Sequence, residues 1–106
     1  MIRAEFFADR NGQLTGFCIK GHSMLAEHGN DVLCAFVSSA AYLAANTLTE
    51  ISGVKAQAEA DDGYMRVLVE ENDRERSQDI LAGLRLHLEE TMKQYPENLK
   101  VIITEV

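Results

Sequence analysis

Residues 31–51 read DVLCAFVSSAAYLAANTLTEI, and no charged side chain lies between Asp31 and Glu50. If this segment is placed on an α-helix, with 3.6 residues per turn, apolar residues fall on nearly every side. The segment therefore predicts one long helix that is buried over most of its surface. Asp31 is a favoured N-cap residue, and Gly53 lies where a left-handed glycine often ends a helix.

Alternating apolar and polar residues predict strands on both sides of this helix. The turn sequences Asn11-Gly12 and Asp61-Asp62-Gly63 interrupt two such alternations and are typical of tight hairpins. The predicted elements are strands at 2–8 and 14–20, a helix at 31–51, strands at 54–60 and 64–70, a helix at 74–95 and a strand at 99–104. This ββαββαβ order predicts an α+β protein, a two-layer sandwich of two long helices and one mixed sheet of about five strands.

The composition predicts a single globular domain over residues 1–106. The chain is 46% hydrophobic, which excludes intrinsic disorder, and its net charge of −7 disfavours direct nucleic-acid binding. No unbroken apolar run reaches the roughly 20 residues that span a bilayer, and the first residues do not resemble a signal peptide. We therefore expect a cytoplasmic protein with no membrane partner.

The cysteine and histidine content predicts no metal and no cofactor. Two cysteines and three histidines are too few, and are not spaced as zinc ligands are. Cys18 lies within a predicted strand and is expected to fill the core. Its alternative role is redox pairing with Cys34.

Cys34 is the residue best suited to chemistry, because it lies three positions after the predicted N-cap Asp31. The positive end of a helix dipole lowers a thiol pKa from about 8.5 towards neutrality. Helix N-terminal amides can also stabilise an oxyanion. His22 precedes Cys34 by twelve residues, and the loop between them can fold the imidazole onto the helix start. A thiol and an imidazole in contact form the pair that cysteine acyl transfer requires.

Several residues near this pair have more than one interpretation. Cys34 itself can be only a small buried residue. Asp31 can cap the helix or orient His22, but one oxygen cannot easily do both. Ser38 can bond the sulfur, bond the Cys34 carbonyl or point into a cleft. Phe36 can narrow a cleft or face the core.

The stretch GHSMLAEHGNDVLCAFVS, residues 21–38, resembles the motif of the ribosomal-processing cysteine protease family, Prp. That motif joins a Gly-His pair, a short loop, Gly-x-Asp-x-x-Cys-Ala and a Ser four residues after the Cys. The matching positions are Gly21, His22, Ser23, Glu27, Gly29, Asp31, Cys34, Ala35 and Ser38. The order of hairpins and helices also agrees over nearly the whole chain.

The resemblance implies a cysteine endopeptidase that removes a short N-terminal extension from a large-subunit ribosomal protein. The site residues it implies are a catalytic pair, His22 and Cys34, and the site-shaping residues Gly21, Asp31, Ala35 and Ser38. It also implies a cytosolic homodimer without a cofactor, with loop 23–30 near an apolar substrate cleft. An acidic protein would attract a basic ribosomal substrate.

Two other functions remain open on the residues alone. A non-catalytic ribosome-associated protein would bind a basic tail in the same cleft, as the acidic balance suggests. A redox sensor would oxidise Cys34 reversibly, although no second cysteine is close in sequence. Loop 23–30, which contains His28, is expected to be either a lid or a plain mobile loop.

Overall fold

The computed structural model describes residues 1–22 and 31–106 and contains one five-stranded sheet and two long helices. Its elements are β1 (Ile2–Ala8), β2 (Leu14–Lys20), α1 (Val32–Asn46), β3 (Ala56–Asp61), β4 (Tyr64–Val69), α2 (Arg74–Gln94) and β5 (Leu99–Glu105). A π-helical turn, Thr47–Ile51, continues α1. The α+β class, the element order and the mixed sheet are confirmed.

The strand order is β3-β4-β2-β1-β5, with β5 parallel to β1 and the other pairs antiparallel. Two hairpins therefore meet where β2 pairs with β4. Gly16 in β2 comes so close to β4 that a Cβ atom would lie 2.1 Å from the Val67 carbonyl oxygen. Only glycine fits at this crossing, which lies beside a register irregularity between Phe7 and Ala8.

The hydrophobic core lies between one face of the sheet and both helices. Phe6, Phe17 and Val67 are neighbours across three strands and are fully buried. The helices add Leu33, Val37, Ala41, Ala44, Leu81, Leu84 and Leu88 to the same cluster. Both helices therefore cover the same face of the sheet.

Cys18 is buried, as expected, but it lies outside the main hydrophobic cluster. It lies in register with Glu5 and Arg66, on the face of the sheet that the helices do not cover. Burial first, and then the nearby Cys18 and Glu59, raise the pKa of Tyr64 on that face. Cys34 belongs to α1 on the opposite side, so redox pairing of the two cysteines would have to cross the sheet.

Helix α1 is buried on one side only, which corrects the prediction of an almost fully buried helix. Its inner residues join the core, whereas Val32, Leu43 and Ile51 are 78%, 65% and 82% exposed. The physical reason is the two-layer architecture, because the sheet covers α1 on one side and α2 covers one flank. Gly53 follows with φ +63, as predicted for a left-handed residue after the helix.

The helical segment Val32–Ile51 also passes a length-and-composition test for a membrane span, with 20 residues and a mean hydropathy of 1.5. The expectation that no segment is long enough is therefore wrong. Uncharged Ser, Thr, Tyr and Asn residues break the strictly apolar run but leave the hydropathy high. Core helices of water-soluble proteins pass the same test, and the inner residues of this segment pack on the sheet.

Candidate active site

A cleft of about 360 Å³ opens between the end of β2, the start of α1 and the turn that joins β3 to β4. His22 and Cys34 both line it, and Ile19, Val37 and Met65 give it an apolar floor. The structure therefore brings together the two residues predicted as a catalytic pair. Within residues 1–22 and 31–106, no three His, Cys, Asp or Glu side chains are grouped as metal ligands.

Asp31 holds Cys34 through both of its carboxylate oxygens. Its backbone is extended, and its Oδ1 accepts the Cys34 backbone N–H at 3.1 Å. Its Oδ2 accepts the Cys34 thiol at 3.2 Å. The predicted N-cap role of Asp31 is confirmed, and the cap also fixes the direction of the sulfur.

Two electrostatic effects oppose each other at this sulfur. The amides of the first helical turn favour a thiolate, whereas the adjacent Asp31 carboxylate disfavours a second negative charge. In this structure the Asp31 carboxylate accepts the hydrogen bond that the Cys34 thiol donates. Because Asp31 engages the Cys34 amide, Val32 and Leu33 supply the first-turn amides that have no acceptor within the helix.

Gly21 brings the chain into the position that presents His22. Its φ is +98, and a Cβ atom there would lie 2.3 Å from the Met1 carbonyl oxygen. Its N–H donates to the Gly63 carbonyl at 2.9 Å. These contacts require glycine before His22 and give a physical reason for the Gly-His pair.

The β3–β4 turn is a part of this site that the sequence did not predict. Asp61, Asp62 and Gly63 form one wall of the cleft, and Tyr42 of α1 lies on the other. The Asp-Asp-Gly signal correctly predicts a hairpin, and Gly63 has φ +68. No local signal shows that β4 pairs with β2, and that pairing brings the turn beside His22.

The remaining predicted residues differ in their relation to the cleft. Ser38 lines it, which supports the third interpretation of that residue, whereas Ala35 is exposed and lies outside its lining. Both expectations for Phe36 are wrong. Its ring is 45% exposed and stacks on His87 of α2, with centroids 5.0 Å apart.

The predicted lid lies outside the described residues. Residues 23–30 include the motif positions Ser23, Glu27 and Gly29, as well as His28. Both interpretations of this loop stay predictions.

The family model described as Cysteine protease Prp matches residues 1–100. The chain belongs to the Prp family of cysteine proteases. It is 28% identical to the ribosomal processing cysteine protease Prp of Bacillus subtilis (strain 168) over 107 residues, which cover 95% of this chain and 96% of that protein. It is 22% identical to the Prp of Staphylococcus aureus (strain Mu50) over 103 residues, covering 95% and 97%.

Solved Prp structures have the same fold. The S. aureus Prp with a covalently linked product peptide matches with a TM-score of 0.90 and 22% identity, over 98% of this chain and all of that one. The S. aureus Prp with a substrate peptide matches with a TM-score of 0.85 and 21% identity, over 98% of this chain. Prp membership confirms the resemblance in the sequence, and the protein is a cysteine protease.

Proposed function

We propose that this protein removes a short N-terminal extension from a large-subunit ribosomal protein, with Cys34 as nucleophile and His22 as acid and base. The observation that carries the proposal is that Cys34 and His22 line one cleft. Cys18, the other cysteine of the chain, is 5% exposed on the far face of the sheet. The relatives named as ribosomal processing proteases support the substrate class.

Acylation begins when His22 takes the proton of the Cys34 thiol, which in the resting state donates a hydrogen bond to Asp31. The Cys34 sulfur attacks the carbonyl carbon of the scissile peptide bond, and the negative charge moves to the carbonyl oxygen. First-turn amides of α1 stabilise this oxyanion, with Val32 and Leu33 as the available donors. The carbon–nitrogen bond then breaks, and the imidazolium of His22 gives its proton to the leaving amine. The products of this step are a thioester on Cys34 and a free amine.

Deacylation reverses the roles of the two residues. His22 removes a proton from water, and the resulting hydroxide attacks the thioester carbon. The tetrahedral intermediate then expels the Cys34 sulfur, which recovers the proton from His22. The peptide leaves as a carboxylic acid that gives up its proton to the solvent, and the protein returns to its starting state without any cofactor.

The walls of the cleft fit an apolar segment followed by basic residues. Ile19, Val37 and Met65 offer an apolar floor, so an aromatic or aliphatic side chain before the scissile bond can bury its surface there. Asp61 and Asp62 are exposed on the rim, where they attract cationic side chains. This combination supports a basic protein with an apolar terminal extension as substrate.

We further propose that the protein acts as a homodimer. The outward face of α1 exposes Val32, Phe36 and Leu43, and no charged residue precedes Glu50 on this helix. Together with α2 it borders an apolar groove of about 470 Å³. A second copy that covers this face would remove the exposed apolar surface from water. Sedimentation equilibrium tests this proposal, and a monomer at micromolar concentration would contradict it.

We propose the cytoplasm as the location, because that is where a ribosomal protein meets its processing enzyme.

The decisive experiment is mass spectrometry of the ribosomal protein's N-terminal peptide after incubation with the protein. We expect one cut by wild type and by Cys18→Ala, which serves as the matched cysteine control. Neither Cys34→Ala nor His22→Ala should cut, although both should keep the wild-type circular dichroism spectrum. Cleavage by Cys34→Ala would overturn the assignment of the nucleophile.

A further inference from the structure

The imidazole of His22 rests against a residue with no side chain. Gly63 lies in the β3–β4 turn, and a Cβ atom built there would lie 2.9 Å from Nε2 of His22. The same atom would be 3.2 Å from Cε1 and 3.5 Å from Cδ2. The ring therefore occupies the space that the Cβ atom of any other residue would fill.

A second contact ties the same turn to the strand that carries His22. The Gly63 carbonyl accepts the backbone N–H of Gly21 at 2.9 Å. Gly63 thus fixes the backbone just before His22 and bounds the side chain of His22. Its φ of +68 is the conformation that presents both its carbonyl and its bare α-carbon in this way.

From these contacts we propose that Gly63 is a positioning residue, which holds the imidazole of His22 in the orientation that reaches the Cys34 sulfur. The proposal rests on the proposed catalytic pair. His22 is exposed, and the Gly63 backbone bounds one side of its ring. If the imidazole is already oriented before substrate binds, proton transfer does not require a further loss of conformational entropy. A displacement of a catalytic group by about 1 Å can slow catalysis about 100-fold.

The first arm of the test measures the contact without any enzyme assay. Gly63→Ala combines backbone strain at positive φ with a clash against His22. Gly12→Ala has the same kind of strain at φ +83, but its Cβ would meet nothing within 4 Å. We expect Gly63→Ala to lower the urea denaturation midpoint more than Gly12→Ala does. This difference between the two midpoints should disappear when each substitution is made in a His22→Ala background. A difference of the same size in the absence of the His22 side chain would show that Gly63 does not contact His22.

The second arm measures catalysis. We expect Gly63→Ala to lower kcat about 10- to 100-fold with KM within about twofold, because the imidazole moves while the apolar floor stays. Gly12→Ala should keep both constants. If Gly63→Ala does not fold, Gly63→Asn and Gly12→Asn replace the pair, because Asn adopts positive φ more readily and has the same Cβ. A wild-type kcat in a folded Gly63 variant would overturn the positioning role.

A third measurement separates this proposal from the proposed function. Alkylation of Cys34 by iodoacetamide depends on a correctly placed base but not on the identity of the substrate. If wild type does not cut the ribosomal peptide, the substrate proposal fails, and the alkylation rates still test Gly63. We expect slower alkylation in Gly63→Ala than in Gly12→Ala, and equal rates would contradict the positioning role.

Discussion

The two hairpin turns of the sheet share one feature and face different surroundings. Each contains a glycine with positive φ, +83 at Gly12 and +68 at Gly63. Asp9 stabilises the first turn from within, because its Oδ1 accepts the backbone N–H groups of Asn11 and Gln13. The second turn directs its Gly63 backbone at His22 and lies along the cleft.

This comparison shows that the conformation of a turn does not decide its function. Both glycines satisfy the same local requirement, and a sequence pattern predicts both in the same way. The surroundings differ because β2 ends beside the β3–β4 turn, whereas the β1–β2 turn lies at the other end of β2. Strand order therefore makes the β3–β4 turn, and not the β1–β2 turn, a wall of the site.

The largest effect on stability is expected from a substitution at Gly16, where the two hairpins meet. Gly16→Ala would press a Cβ atom against the Val67 carbonyl, and neither backbone can move without loss of strand pairing. We expect a loss of about 3 kcal/mol or more in the free energy of unfolding, measured by urea denaturation. Gly83→Ala in α2 is the control, because its Cβ meets nothing within 4 Å and it should stabilise by about 0.5–1 kcal/mol. Similar stability of the two variants would contradict the close approach.

Substitution of the first turn should separate folding from catalysis. Gly12→Ala places an L-residue at positive φ and should lower the free energy of unfolding by about 1–2 kcal/mol. It should leave kcat and KM unchanged, because that turn lies at the opposite end of β2 from the described walls of the cleft. Urea denaturation and peptide cleavage measure the two quantities. A fall in kcat as large as that of Gly63→Ala would show that the two turns are not functionally distinct.

The acidic rim of the second turn should affect substrate capture more than stability. Combined Asp61→Asn and Asp62→Asn should lower kcat/KM for a lysine-containing peptide by about 3- to 10-fold at low salt. The difference from wild type should shrink as ionic strength rises, because exposed charges are screened. Asp9→Asn is the matched change in the first turn and should alter stability but not kcat/KM. A salt-independent loss would argue against an electrostatic role.

The smallest effect on stability is expected for Asp73, which lies away from both turns. Hydrogen bonds from the Arg76 side chain and the Lys55 backbone lower the pKa of Asp73 at the start of α2. A lowered folded-state pKa adds stability above the unfolded value, near 3.9, that is lost as pH falls through the folded pKa. Asp73→Asn should therefore lower Tm slightly at pH 6, and the difference should shrink as pH falls below about 4. A difference in Tm that stays constant from pH 6 into the acid range would contradict an ionic origin.

Local chemistry made the elements and half of the site predictable from the sequence. Strand alternation, the two glycine turns and the Asp31 cap depend on residues within a few positions of one another, so their patterns are visible along the chain. The Asp31-x-x-Cys34 spacing places the thiol at a helix start by the same local rule, and the cap hydrogen bond has that geometry.

Long-range packing decided the rest. Alternation shows that Cys18 and Phe17 face opposite ways, but only the location of both helices shows which of the two faces the core. The apolar composition of α1 predicts burial, but a two-layer fold covers one side of a helix and leaves Val32 and Leu43 exposed. Gly63 reaches His22 because β4 pairs with β2, a contact between distant parts of the chain. Such pairings are selected by the packing of the whole sheet, and no short stretch of sequence contains them.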